Sequence, residues 1–224
     1  MLSIFEQTIN RLNALAEVND KILISFSGGK DSLIVLDLCS KTFKKVICFF
    51  MYLVPGLDHI ERQLQFAEKK YGVEILQYPH WLLSRLLKNG IYCNNHHYFD
   101  NLPALLPNDI YSIARYEAGI NLIATGQKKS DNLFRRRNLL NADNISDLIH
   151  PLKDWNKYDV LSYMRIHDIP LPQTYKGQVT GVDLSTKSLL WLYDTYPKDF
   201  KKLLRIFPYA ETIIYRRKWY DIEK

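Results

Sequence analysis

The run Ser27-Gly28-Gly29-Lys30-Asp31-Ser32 follows without a break on the apolar stretch Lys21-Ile22-Leu23-Ile24-Ser25-Phe26. A short unbroken apolar run of this kind reads as a buried strand, and Asp31 to Leu38 reads as a helix. Two adjacent glycines let the backbone turn tightly and leave their N–H groups unshielded by side chains. Those amides and the helix N-terminus make a place for anionic oxygens. Ser27 and Ser32 add hydroxyl donors, Lys30 adds a point charge, and Asp31 either caps the helix or holds a cation. Ser25, at the strand end, completes the candidate contacts. The spacing is not Gly-x-x-x-x-Gly-Lys-Ser/Thr, so this is not a Walker loop. The plainer alternative is a glycine turn with a Ser/Asp helix cap.

The pattern around this loop repeats. Leu2 to Glu17 has helical apolar spacing, and Lys45 to Met51 reads as a second strand. Leu57 to Tyr71 reads as a helix, Val73 to Tyr78 as a strand, and Trp81 to Lys88 and Asn108 to Ala118 as helices. Asn121 to Thr125 gives a fourth strand, ending at Gly126. This alternation predicts an α/β fold: a mostly parallel sheet of about five strands, with helices on both faces. Ligands of such sheets bind at the carboxyl ends of the strands. Beyond residue 150, Pro151, Pro170, Pro172, Pro197 and Pro208 punctuate short helical segments, among them Lys157 to His167 and Ser185 to Tyr196. The expected organisation is a nucleotide-binding core over 1–150 and a helical C-terminal region over 151–224, packed on the core.

Composition narrows the class. With 47% hydrophobic and 24% charged residues among 224, the chain is of globular character, and its formal charge of +6 favours an anionic partner. No stretch approaches the roughly 20 apolar residues needed to span a bilayer. Met1 to Val18 is amphipathic rather than a continuous apolar run, so no signal peptide and no membrane are expected, and the expected location is cytoplasmic. The three cysteines, Cys39, Cys48 and Cys93, form no paired framework; the first two lie in apolar segments and read as small core residues.

Three segments together resemble one family. Ser27-Gly28-Gly29-Lys30-Asp31-Ser32 looks like the pyrophosphate loop (PP-loop) of the adenine nucleotide α-hydrolase superfamily. Thr125-Gly126-Gln127-Lys128-Lys129-Ser130-Asp131 resembles the second glycine loop of the phosphoadenosine phosphosulfate (PAPS) reductase family within it. Pro151-Leu152-Lys153-Asp154-Trp155, Asp159-Val160 and Ile169-Pro170-Leu171 resemble that family's Pro-Leu-x-x-Trp … Asp-Val … Ile-Pro-Leu segment. The likeness covers roughly residues 20 to 172. It implies binding of ATP or PAPS, with Mg²⁺, by Ser25, Ser27 to Ser32, Gly126 and Lys128, and a reaction at or near the α-phosphate. Family members include sulfonucleotide reductases, sulfate and FMN adenylyltransferases and DNA phosphorothioation proteins.

A reductase of this family attacks the sulfate sulfur with a cysteine in a Glu-Cys-Gly-Leu-His type segment, and here no cysteine follows Cys93. The expectation is therefore cleavage of the α–β phosphate bond of ATP, with the acceptor unknown and Lys30, Asp31 and Arg136 as the catalytic candidates. Lys128, Lys129 and Arg135 to Arg137 crowd one stretch; if it is a helix over Ser130 to Leu140 they cannot all face the nucleotide. A solvated basic face is the alternative. Cys93-Asn94-Asn95-His96 reads as a polar loop at the cleft, half of a zinc site with His80, or a histidine-primed thiol, and no metal ligand is assigned. Tyr215-Arg216-Arg217-Lys218-Trp219-Tyr220 suits either nucleic acid or an ordinary solvated helix. A non-catalytic PAPS or ATP module, a sulfur-transfer role on nucleic acid and a homo-oligomer remain open.

Overall fold

The computed structural model describes residues 2–94, 97–141, 147–172 and 183–222. Helix α1 (Ile4–Val18) starts at a reciprocal cap, in which Ser3 and Glu6 each bond the other's backbone. Strand β1 (Lys21–Ser25) carries Ile22, Leu23 and Ile24 fully buried, the signature of a strand covered on both faces. It pairs in parallel with β2 (Lys45–Tyr52) on one side and β4 (Ile123–Thr125) on the other. β3 (Glu74–Pro79) extends the sheet beyond β2, and β5 (Leu148–Ile149) extends it beyond β4. The order is β3-β2-β1-β4-β5, all parallel. The chain thus winds one way from β1, returns and winds the other way, which opens a crevice between the carboxyl ends of β1 and β4.

Alternating side chains divide the core into two layers. Ile22, Ile24, Cys48, Phe50 and Ala124 face α1, α2 (Lys30–Thr42), α3 (Asp58–Tyr71) and α7 (Lys157–Ile166). Leu23, Ile47, Phe49 and Ile123 face α5 (Pro107–Ala118), through Ile110 and Ala114. Helix α2 is buried from Ser32 to Cys39, so it is the central helix of its layer. Its one buried acid, Asp37, is satisfied by Lys41 at 2.6 Å and the Tyr163 hydroxyl at 2.8 Å.

The Pro151 to Trp155 turn joins the same core, with Leu152 and Trp155 fully buried. The Trp155 indole N–H donates to Thr8 Oγ1 at 2.9 Å, tying this turn to α1. A second cluster is built by α8 (Thr186–Thr195), α9 (Pro197–Leu204) and α10 (Thr212–Ile222), through Leu189, Leu192, Phe200, Leu203, Phe207 and Ile213. Val54 and Leu57, between β2 and α3, complete it.

The sheet and its two helical layers agree with the sequence expectation. Helix α2 runs four residues past Leu38, because Cys39 remains buried and the Thr42 hydroxyl bonds the Leu38 carbonyl. The short helix α4 (Leu83–Lys88) begins two residues after Trp81, and β4 starts two residues after Asn121. Strand β5 is a two-residue element that the sequence reading did not locate. No helix of the described residues is long and apolar enough to cross a membrane.

Candidate nucleotide site

The turn after β1 is held by its own serines. Ser32 Oγ donates to the Gly29 carbonyl at 3.0 Å and accepts from the Ser27 N–H at 3.3 Å, and the Ser27 hydroxyl reaches Ser32 Oγ at 3.2 Å. Gly28 has φ +69°, a left-handed conformation that favours glycine. Its carbonyl accepts from the Gln63 side-chain amide of α3. The amides of Gly28 and Asp31 have no hydrogen-bond partner among the described residues, and α2 begins at Lys30. The result is a preformed set of donors at a helix N-terminus, suited to anionic oxygens. Ser25 is half-buried where β1 ends.

The second loop meets the first across the crevice. A Cβ on Gly126 would lie 3.1 Å from both the Asp31 carbonyl carbon and the Ser32 nitrogen, so glycine permits the close approach. Next to it, Thr125 Oγ1 and His150 Nδ1 are 2.7 Å apart, linking the ends of β4 and β5.

Lys128 lies inside the protein, only 2% exposed. Its ammonium sits 2.8 Å from Asp31 Oδ2 and 3.0 Å from Asp131 Oδ1, at ion-pair distance from both without well-aimed hydrogen bonds. Lys30 reaches the same Asp31 oxygen at 2.8 Å, while Asp31 Oδ1 is buried without a hydrogen-bond partner among the described residues. Asp131 also takes Arg135 at 2.6 Å. Burial acts to raise the Asp131 pKa, but the Lys128 and Arg135 cations, with the Lys128 backbone N–H donating at 3.2 Å, outweigh it and hold the carboxyl below its ordinary range. An alternating network, Lys30–Asp31–Lys128–Asp131–Arg135, therefore joins the two loops.

Arg136, the arginine singled out from the sequence, is an exposed residue of α6 (Leu133–Asn141), and Arg135 makes the contact with the second loop. Lys129 turns away to Asp154 at 2.8 Å. Gln63 was not foreseen; nothing in Glu61-Arg62-Gln63-Leu64 marks a loop contact, which depends on where α3 crosses the first loop. Cys93 is buried and its thiol pKa is raised by burial. His97 is exposed beside Asp100, His80 accepts from the Leu82 N–H at 3.1 Å, and His96 lies outside the described residues. No metal-binding cluster of His, Cys, Asp or Glu occurs among the described residues. On α10, Ile213 and Ile214 face inward, Arg217 pairs with Asp194 at 2.7 Å, and Tyr215, Arg216 and Lys218 face outward.

Five parallel strands reversing at β1, with facing glycine loops after β1 and β4, form an α/β fold of the adenine nucleotide α-hydrolase type. The sequence model of the phosphoadenosine phosphosulfate reductase domain matches residues 21–195, and the chain belongs to that family. Among solved structures it resembles NH3-dependent NAD synthetase from Campylobacter jejuni in complex with nitrate, with 14% identity and TM-score 0.52, covering 96% of this chain and 94% of that one. It also matches phosphoadenylyl-sulfate reductase from Candida auris in a phosphate complex, with 19% identity and TM-score 0.49, covering 79% and 92% of the two chains. A search of curated protein sequences gave no match.

Proposed function

We propose that this protein binds ATP across the two loops and transfers the adenylyl group to an acceptor. The observation that carries the reading is the approach of Gly126 to Asp31 and Ser32, which brings two glycine loops together at the β1/β4 reversal. The free amides of Gly28 and Asp31, with the Ser27 and Ser32 hydroxyls, bind the pyrophosphate portion. Lys30, paired with Asp31, exchanges that partner for phosphate when nucleotide binds. The acceptor's nucleophilic atom forms a bond to the α-phosphorus as the bond to the bridging oxygen breaks. Pyrophosphate leaves with the electron pair, its charge neutralised by Lys30 and the loop amides.

Mg²⁺ suits this site, because the ion needs one or two carboxylates and takes its remaining oxygens from phosphate and water. Asp31 has a carboxylate oxygen, Oδ1, that no group among the described residues bonds, and it would hold the ion. The ion would neutralise charge on the departing pyrophosphate.

The thiols argue against sulfonucleotide reduction. Cys39, Cys48 and Cys93 are all buried, and burial raises each pKa, so none is held as a nucleophilic thiolate. The same fact counts against sulfur transfer through Cys93. The test is pyrophosphate release from ATP and Mg²⁺ in the presence of candidate acceptors, with Lys30→Ala alongside. Turnover that Lys30→Ala leaves unchanged removes the site assignment. Tight PAPS binding with no product from any acceptor favours a non-catalytic binding module.

A further inference from the structure

We propose that the cleft between α3 and the α8–α9 junction is an anion subsite. On the adenylyl-transfer reading, on which its role rests, it takes the acidic group of the acceptor, a carboxylate or a phosphate. The cleft has a volume of about 350 Å³ and is lined by Asp58 and Arg62 of α3 together with Tyr196, Lys198 and Asp199. That volume lies within the range of small-ligand sites.

Its charge is settled by which groups are already engaged. Asp58 pairs with Lys202 at 2.5 Å. Asp199 accepts from the backbone N–H groups of Asp58 at 2.7 Å and His59 at 2.9 Å, and lies 2.6 Å from His59 Nδ1. Both acids in the lining are therefore satisfied. Arg62 and Lys198 have no carboxylate partner among the described residues; Arg62 lies over the Tyr196 ring, 5.9 Å from its centroid, and its charge reaches His59. The cleft is left with two cations that no carboxylate neutralises, which match an anion by charge, and the arginine can bond it in a bidentate way.

The wall behind them is aromatic. The Tyr196 ring stacks on His59 with centroids 4.7 Å apart and an interplanar angle of 13°, and meets Trp191 edge-on at 5.4 Å. Arg62 immediately precedes Gln63, whose amide holds the Gly28 carbonyl. The cleft's arginine and the residue that holds the first loop therefore stand on one turn of α3.

The test is calorimetric titration of the full chain with inorganic phosphate and, separately, succinate, after saturation with α,β-methylene-ATP and Mg²⁺. The expected result is that at least one anion binds and that the Arg62→Gln/Lys198→Gln double variant weakens it roughly tenfold or more. The same variant keeps its circular dichroism and binds the nucleotide analogue within about twofold of the parent. Tighter phosphate binding identifies a phosphorylated acceptor, and tighter succinate binding a carboxylic one. Equal binding of both anions by parent and variant, or no binding of either at millimolar concentration, overturns the subsite. Failure of the analogue to bind would remove the ATP reading alone. The anion titration without nucleotide still decides the cleft, because the phosphate loop is identical in parent and variant.

Discussion

Gly126 lies against the backbone of Asp31 so closely that a methyl group on it would sit 3.1 Å from the Asp31 carbonyl carbon. The obstacle is main chain at the start of α2, which cannot swing aside as a side chain would. Gly126→Ala therefore separates the two loops by a few tenths of an ångström, with an overpacking cost of about 1–3 kcal/mol. The expected result is nucleotide affinity reduced about tenfold or more, with the melting temperature lowered only moderately. Calorimetry with ATP and with PAPS checks it, and both nucleotides should lose affinity together.

Gln63→Ala acts on the other side of the same loop. The Gln63 amide donates to the Gly28 carbonyl and fills the space where a Gly28 side chain would otherwise stand. Its loss removes one hydrogen bond, about 1 kcal/mol, and frees a glycine held in a left-handed conformation. The expected outcome is a roughly fivefold weaker nucleotide complex and increased hydrogen exchange at Gly28 and Gly29. Unchanged affinity and exchange would show that the serine bonds alone set the loop.

Lys128→Met separates two roles for the second loop. A lysine serving only phosphate leaves the nucleotide-free protein equally stable when removed. Here the buried Lys128 ammonium lies between Asp31 and Asp131, so its loss takes away the counter-ion they share. Asp31 keeps Lys30 and Asp131 keeps Arg135, so the cost is that of lost charge-assisted contacts, about 1–2 kcal/mol, rather than of a stranded buried charge. Urea denaturation of the nucleotide-free variant should show that loss, and adding Asp131→Asn should recover part of it.

These outcomes mark where the sequence stopped being legible. Strand, Gly-Gly turn and helix are adjacent in the chain, so Lys21 to Leu38 could be read from local pattern alone, as could the alternation that gives the parallel sheet. The two-residue β5 has no periodicity to read. Lys128 follows a strand-ending glycine and reads as a phosphate ligand; its two acids flank it only because the fold brings Asp31, 97 residues away in sequence, to the second loop. Helix α3 offers no side-chain cap of its own, since Leu57 stands at its N-cap. Its cap is Asp199, supplied from α9 across 141 positions. No spacing rule connects such residues; they meet because the C-terminal helices bury Val54 and Leu57 with Phe200 and Leu203.

That cap also sets a pH dependence. Burial lowers the His59 pKa below its ordinary value, and Asp199, which favours the protonated ring through its hydrogen bond and charge, does not overcome it. His80 is lowered by burial as well. The unfolded chain, with histidine near its usual value of about 6.5, takes up protons before the folded one does. The histidine contribution to stability is therefore complete above about pH 6.5 and is lost as pH falls from there through the lower folded-state values. Asp131, Asp154 and Asp199 have lowered pKa values, so their contribution is present above about pH 4 and is lost only at more acidic pH. Urea unfolding free energies should thus fall from pH 7 to pH 5, then fall again below pH 4. His59→Asn keeps a donor near Asp199 but does not titrate. It should be less stable at pH 7 and show a shallower slope between pH 7 and 5, with His80 supplying what remains, while the acid limb is retained. An unchanged slope in His59→Asn would place the pH dependence elsewhere than at the α3–α9 junction.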